Sequence, residues 1–255
     1  MSRRGSFTRR LRGREPLTGV FQKLPHHQVT ELLGASAIGF AVLDGEHAPF
    51  DPSTIDACQL ASRAVDLPLL VRVATAAPEA ILAALDMGAA GVLVPHVDSA
   101  EKAATAVRAA RYAGGGRGFS PSTRAGGYGT RGLRDYMEAA DRENLVIGQV
   151  EDAAALECLA AIAGTPGLDA VFVGRADLAA SLGCEWNDPM LDDATRAIAD
   201  AAASAGIACG AYLASPRDAP RYRAWGISFL IVGSDQGILR TGAEQLALSM
   251  KGIME

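Results

Sequence analysis

The chain has 255 residues, 49% hydrophobic, 21% charged and 5% aromatic, which excludes a disordered or collagen-like polymer and fits one compact globular domain. Lys and Arg number 24 against 29 Asp and Glu, a formal charge of -5, so the balance points to neither nucleic acid nor an anionic membrane. No apolar run approaches the roughly 18 residues of a membrane span, and the expected partners are small molecules and further copies of the chain.

The first fifteen residues carry six arginines with no apolar stretch behind them, so no secretory signal is expected. Residues 1–6 read as a frayed tail leading into a short helix. Short β-rich runs then recur with alanine-rich stretches between them, the alternation of βαβ units in a parallel sheet. They lie at Leu17 to Gln22, Gly39 to Leu43, Pro68 to Val73, Gly91 to Pro95, Leu145 to Val150, Ala170 to Gly174, Ile207 to Leu213 and Ser228 to Val232. Eight such runs without a linker predict an α/β protein, a (β/α)8 TIM barrel formed by residues 1–255 as one domain.

Asp51-Pro52-Ser53 opens one intervening helix, and Ala77-Pro78-Glu79 opens another that stops at Gly88. Asp98-Ser99-Ala100-Glu101 has capping-box spacing with Asp98 in the cap position. Ala113 to Arg134 breaks the rhythm with eight glycines in 22 residues, too long for an idle connection, and reads as a functional loop over one face. The four cysteines, Cys58, Cys158, Cys184 and Cys209, lie 25 or more residues apart with no CxxC pair. Reduced, buried thiols in a cytoplasmic protein are expected, with no zinc knuckle.

In such a barrel the chemistry sits where strands end at the C-terminal rim. The second run ends in Asp44-Gly45-Glu46-His47, the third in Arg72, the fifth in Gln149 and Glu151, and the sixth leads through Gly174-Arg175-Ala176 to Asp177. Each has an ordinary reading alone: a loop histidine at the surface, an arginine in a rim ion pair, a carboxylate capping a helix. Four strands delivering His, Arg, Glu and Asp to one face is what singles out a site. Two carboxylates with no cysteine nearby favour a hard divalent ion, Mg2+ or Mn2+ with Co2+ as a third option. An ion beside a guanidinium suits a 2-oxo acid, with Arg72 facing the oxygen that becomes an enolate and His47 acting as base.

The segments AVLDGEHAPFD (41–51), LLVRV (69–73), LDMGAAGVLVPHVDSAEKA (85–103), RGFSPSTRAGGYG (117–129), IGQVE (147–151) and GLDAVFVGRADLAASLG (167–183) resemble the HpcH/HpaI family of class II pyruvate aldolases. The similarity runs from about Phe7 to Met250. It implies Glu151 and Asp177 as metal ligands, His47 in the base region, Arg72 on the pyruvate enolate and Asp86 in support of the histidine. Asp44 completes the acidic cluster, and Gln149, Gly174 and Ala176 border the bound acid. It further implies a homo-oligomer, a hexamer built as a trimer of dimers. Asp86 closes a helix that returns to the face opposite the rim, so it is expected to reach the site of a neighbouring subunit.

The implied reaction is reversible retro-aldol cleavage of a 4-hydroxy-2-oxo acid to pyruvate and an aldehyde. The alternatives are a citrate lyase β-like or malyl-CoA lyase-like enzyme, with Arg117, Arg124, Arg131 and Arg134 serving phosphates, and a non-catalytic barrel that binds a metal and an oxo acid. Lys23 is the candidate for a Schiff base should the metal reading fail. Two departures stand out from the family pattern: Arg175 replaces a proline and is expected to add a cation beside the metal turn, and His96 stands where an apolar residue is usual.

Overall fold

The computed structural model describes residues 3–114 and 116–254, with side chains through Lys251. Eight strands, β1 (Leu17–Gln22), β2 (Phe40–Asp44), β3 (Leu69–Arg72), β4 (Gly91–Val94), β5 (Leu145–Val150), β6 (Ala170–Val173), β7 (Ala208–Leu213) and β8 (Phe229–Ser234), form one closed barrel in chain order. Every neighbouring pair is parallel, including β8 with β1, so no strand edge is left exposed. All eight runs read from the sequence are strands, with ends shifted by no more than two residues.

Among the described residues eleven α-helices accompany them: α1 (Arg3–Arg12), α2 (His27–Gly34), α3 (Pro52–Ala64), α4 (Pro78–Asp86), α5 (Ala100–Ala110), α6 (Leu133–Glu143), α7 (Leu159–Ala163), α8 (Arg175–Leu182), α9 (Pro189–Ala205), α10 (Ala219–Ala224) and α11 (Asp235–Met254). Asp51 caps α3 by accepting from the Thr54 N–H at 2.7 Å, as its place before Pro52 predicts. At α5 the cap falls one residue later than expected. Ser99 accepts from the Lys102 N–H, while Asp98 binds the Lys102 ammonium instead.

Apolar side chains fill two layers, one inside the barrel and one between strands and helices. Inside, Gly19 and Gly210 make room for aromatic rings, since a Cβ at either would overlap Phe40 or Phe229. Phe172 packs tilted against Phe229 at 6.0 Å between centroids. This packing makes the barrel interior solid and leaves the chemistry to the rim.

The arginine-rich start is not a frayed tail from residue 3 onward; Met1 and Ser2 lie outside the described residues. Helix α1 closes the N-terminal end of the barrel, its Phe7 and Leu11 fully inside and Phe7 packed on Phe40 with centroids 5.0 Å apart. Its arginines serve the carbonyls at the strand entrances. Arg4 donates to the Gly88 and Ala89 carbonyls before β4 and to Asn144 before β5, Arg3 donates to the Ile38 carbonyl before β2, and Arg12 binds Asp169 before β6. These carbonyls would otherwise be left unpaired under a plug. Sequence reading missed this because a basic helix with few apolar residues looks like a solvated one.

Replacing Phe7 with alanine should destabilise the fold by about 3 kcal/mol or more, the cost of an emptied aromatic site. Urea unfolding checks it, and an unchanged midpoint would mean the plug is dispensable.

Candidate active site

The rim is organised around Asp44, fully buried at the end of β2. Its Oδ1 accepts from Arg72 Nε at 3.0 Å and NH2 at 2.8 Å and from the His47 N–H at 3.0 Å, and its Oδ2 lies 3.1 Å from Lys23 Nζ. Burial alone would raise this carboxyl, but the Arg72 charge, the His47 N–H and the hydrogen bonds from Arg72 and Lys23 outweigh it and hold it below the usual carboxylate range. Lys23, the Schiff-base candidate, is thus engaged with a carboxylate, and its position is fixed by the Asp235 carboxylate, which accepts from the Lys23 and Leu24 N–H groups.

Arg72, at the end of β3, uses the rest of its fork on Glu46, with NH1 3.2 Å from Oε2, and lies over the Phe21 ring at 4.8 Å. A Cβ on Gly45 would strike the Arg72 carbonyl, so only glycine lets the Gly45–His47 turn fold this tightly over β3. His47 ends that turn with its ring exposed, 3.9 Å from Glu46.

Across the mouth, β5 delivers Gln149 and Glu151, both about 1% exposed. Glu151 accepts from the Gln149 amide through Oε2 and from the His96 N–H through Oε1 at 2.8 Å. Burial raises the Glu151 carboxyl above its ordinary value against the lowering pull of these two donors, and the nearby Asp177 charge pushes the same way as burial. Gly174 is needed here because a Cβ would overlap the Glu151 carboxylate. Asp177, in the first turn of α8, and Ala176 are exposed at the lip.

These side chains border a cavity of about 310 Å³ that His47, Arg72, Gln149, Gly174, Ala176 and Asp177 all line. The barrel therefore brings together eight of the nine expected site residues: six of them line the cavity, and Asp44 and Glu151 hold its wall from behind. Gln149 Oε1 is buried with no partner, an acceptor left for something that enters. Donor atoms of Glu46, His96 and Glu151 lie within 4.8 Å of one another. Carboxylate oxygens with one imidazole, and all four cysteines free, fit a divalent cation. The sequence alone does not single out Glu46 and His96 as ligands. The signal was there in the DGEH and PHV segments, but which strand ends face each other is a tertiary fact.

The ninth residue stays apart. Asp86 ends α4 on the side where β4 begins, and its Oδ1 accepts from Arg117 NH2 at 2.7 Å. Nor does the glycine-rich loop cover its own rim. Arg117 is buried against Tyr112 and Asp86, Arg124 is paired with Asp56 of α3, and Arg131 lies over Tyr136. Three of the four arginines proposed for phosphates are thereby committed to internal partners.

Arg175 also departs from expectation. It adds no cation to the rim, because its guanidinium is fully buried behind it, donating to Asp192, Thr195 and the Trp186 carbonyl and lying over Trp186 and Tyr222. A long side chain on the first turn of α8 reaches α9 more readily than the cavity. Arg175→Ala should cost about 3 kcal/mol or more by stranding these groups, while KM for the oxo acid stays within about twofold. A changed KM with unaltered urea stability would return Arg175 to the site.

Fold and rim together define a parallel-barrel enzyme with an arginine lining a rim cavity and buried carboxylates beside it. The chain belongs to the HpcH/HpaI aldolase/citrate lyase family, whose family model matches residues 17–241. It is 38% identical over 236 residues to 5-keto-4-deoxy-D-glucarate aldolase of Escherichia fergusonii, covering 91% of both chains. An HpcH/HpaI aldolase/citrate lyase family protein from Burkholderia cenocepacia superposes with a TM-score of 0.92 at 33% identity, covering 97% of this chain and 99% of that one. Citrate synthase SbnG superposes at 0.87 and 30% identity, covering 97% and 98%.

Proposed function

We propose that this chain is a divalent-metal-dependent aldolase that reversibly cleaves a 4-hydroxy-2-oxo acid into pyruvate and an aldehyde. The observation that carries the reading is a buried arginine, Arg72, facing the same cavity as Gln149 and backed by the buried Glu151, on the rim of a barrel from this family. The relatives' 5-keto-4-deoxy-D-glucarate, numbered from its keto end, is itself a 4-hydroxy-2-oxo acid and is the first substrate to try.

Glu151 and Asp177 would hold the cation, and Glu46 and His96 lie close enough to Glu151 to join them. When bound, the cation supplies positive charge and a template for the oxo acid. His47 takes the proton from the C4 hydroxyl, the C3–C4 bond breaks, and its electron pair passes into pyruvate enolate as the aldehyde leaves. Arg72 faces the developing enolate oxygen, its own position locked by Asp44 and Glu46. Protonation at C3 completes pyruvate. The CoA-lyase alternative loses its phosphate partners in the glycine-rich loop, where Arg117 and Arg124 are paired internally.

Chelation should abolish turnover with the fold retained, and Glu151→Gln should do the same without a chelator. Cleavage that survives both, followed as pyruvate release, would overturn the metal-dependent reading.

The active enzyme is a homo-oligomer with sites completed between subunits. Helix α11 supports this: from Ile238 to Lys251 every residue is exposed, among them Ile238, Leu239, Leu246, Leu248 and Met250. A solvated helix does not carry such a stripe without a cover, and a second copy of the chain provides one. Asp86 then tunes a neighbour's His47 while Arg117 steadies it from within. Mixing inactive Asp86→Ala and His47→Ala subunits should restore activity in the hybrid. No recovery after confirmed subunit exchange would confine Asp86 to its own chain.

A further inference from the structure

His96 follows β4 with a φ of +53°, a left-handed backbone that a non-glycine residue adopts at a cost. The turn has two consequences. It points the His96 N–H at Glu151 Oε1, 2.8 Å away, and it lays the imidazole across the rim among three carboxylates. Nδ1 is 3.1 Å from Asp152 Oδ2 and 3.5 Å from Glu151 Oε1, while Nε2 is 3.8 Å from Glu46 Oε1. Only the Asp152 contact has hydrogen-bond geometry.

Asp152 therefore accepts from Nδ1 and sets the ring's orientation, the way a carboxylate behind a histidine commonly prepares it for an ion. Nε2 faces Glu46 Oε1 at 3.8 Å, beyond hydrogen-bond reach. Ligand atoms around an ion with bonds of about 2.1 Å sit roughly 3 to 4 Å apart, and the Glu46, His96 and Glu151 donors are already within 4.8 Å of each other.

We infer that His96 is a nitrogen ligand to the divalent cation bound at Glu151, and that it shifts the metal preference of this site from Mg2+ toward Co2+, Ni2+ or Zn2+. The inference rests on the metal-dependent reading above. Its chemical basis is that imidazole nitrogen binds late first-row ions far better than it binds Mg2+, whereas carboxylate oxygen discriminates less. The left-handed turn then has a use: it brings the amide to Glu151 and the ring to the carboxylate cluster together.

The test uses the purified full-length protein stripped of metal and reloaded with one ion at a time. Mn2+-loaded protein should show 14N coupling of a histidine type by electron spin-echo spectroscopy, and His96→Gly should lose it. Glycine suits the left-handed turn and keeps the amide on Glu151, so the variant is expected to fold; His96→Asn, which also tolerates this backbone, serves as a second variant. By calorimetry both variants should weaken Co2+ at least about tenfold and Mg2+ by less than about twofold. Wild-type protein that binds Mn2+ and cleaves substrate without 14N coupling would overturn the inference and leave the aldolase reading intact. Equal weakening of Co2+ and Mg2+ would also overturn it. Cleavage that persists with no metal bound would overturn both.

Discussion

A buried carboxylate between two cations is what the rim depends on. Asp44 has no solvent exposure, and a charge in that position is tolerable only beside opposite charge. Arg72 and Lys23 supply the partners, and each comes from a different strand, so the ion network fixes the relative placement of β1, β2 and β3 at their C-terminal ends. The same Asp44 oxygen that binds Arg72 also receives the His47 N–H. Orientation of the arginine and of the histidine turn is thus a single electrostatic requirement.

The two ends of the barrel answer to different demands. At the N-terminal end, α1 seals the interior with Phe7 and Leu11, and Arg4 spends its terminal nitrogens on the Gly88 and Ala89 carbonyls and on Asn144. At the C-terminal end, polar atoms are left over: Gln149 Oε1 has no partner, and the buried Glu151 carboxylate receives donors from the His96 N–H and the Gln149 amide. Unspent hydrogen-bonding capacity inside a cavity is what a substrate or cation can use.

Arg175 and His96 show how alike two departures from a family pattern look in sequence and how differently they end up. Both place a basic side chain in the turn that follows a strand. Arg175 is carried by helix direction into the layer between α8 and α9, where Asp192, Thr195 and two aromatic rings absorb it. His96 stays at the rim because its backbone turns left-handed and anchors on Glu151. No helix of the described residues is long and apolar enough to cross a membrane, in keeping with the composition.

The barrel and most of the rim are legible in the amino-acid pattern alone. Eight β-rich runs at regular spacing leave few ways to bury their apolar faces, and a strand's last polar residue must lie at the rim whatever its neighbours are, so Asp44, Arg72, Gln149 and Glu151 could be placed by counting. Tertiary structure decided whatever depends on closure: which strand ends face one another, bringing Glu46 and His96 to Glu151; where a long side chain finds its partner, taking Arg175 inward; and what seals the bottom, turning a basic N-terminal segment into a plug. These are contacts between residues far apart in the chain. Local pattern carries no record of them, because their energies exist only once the barrel has closed.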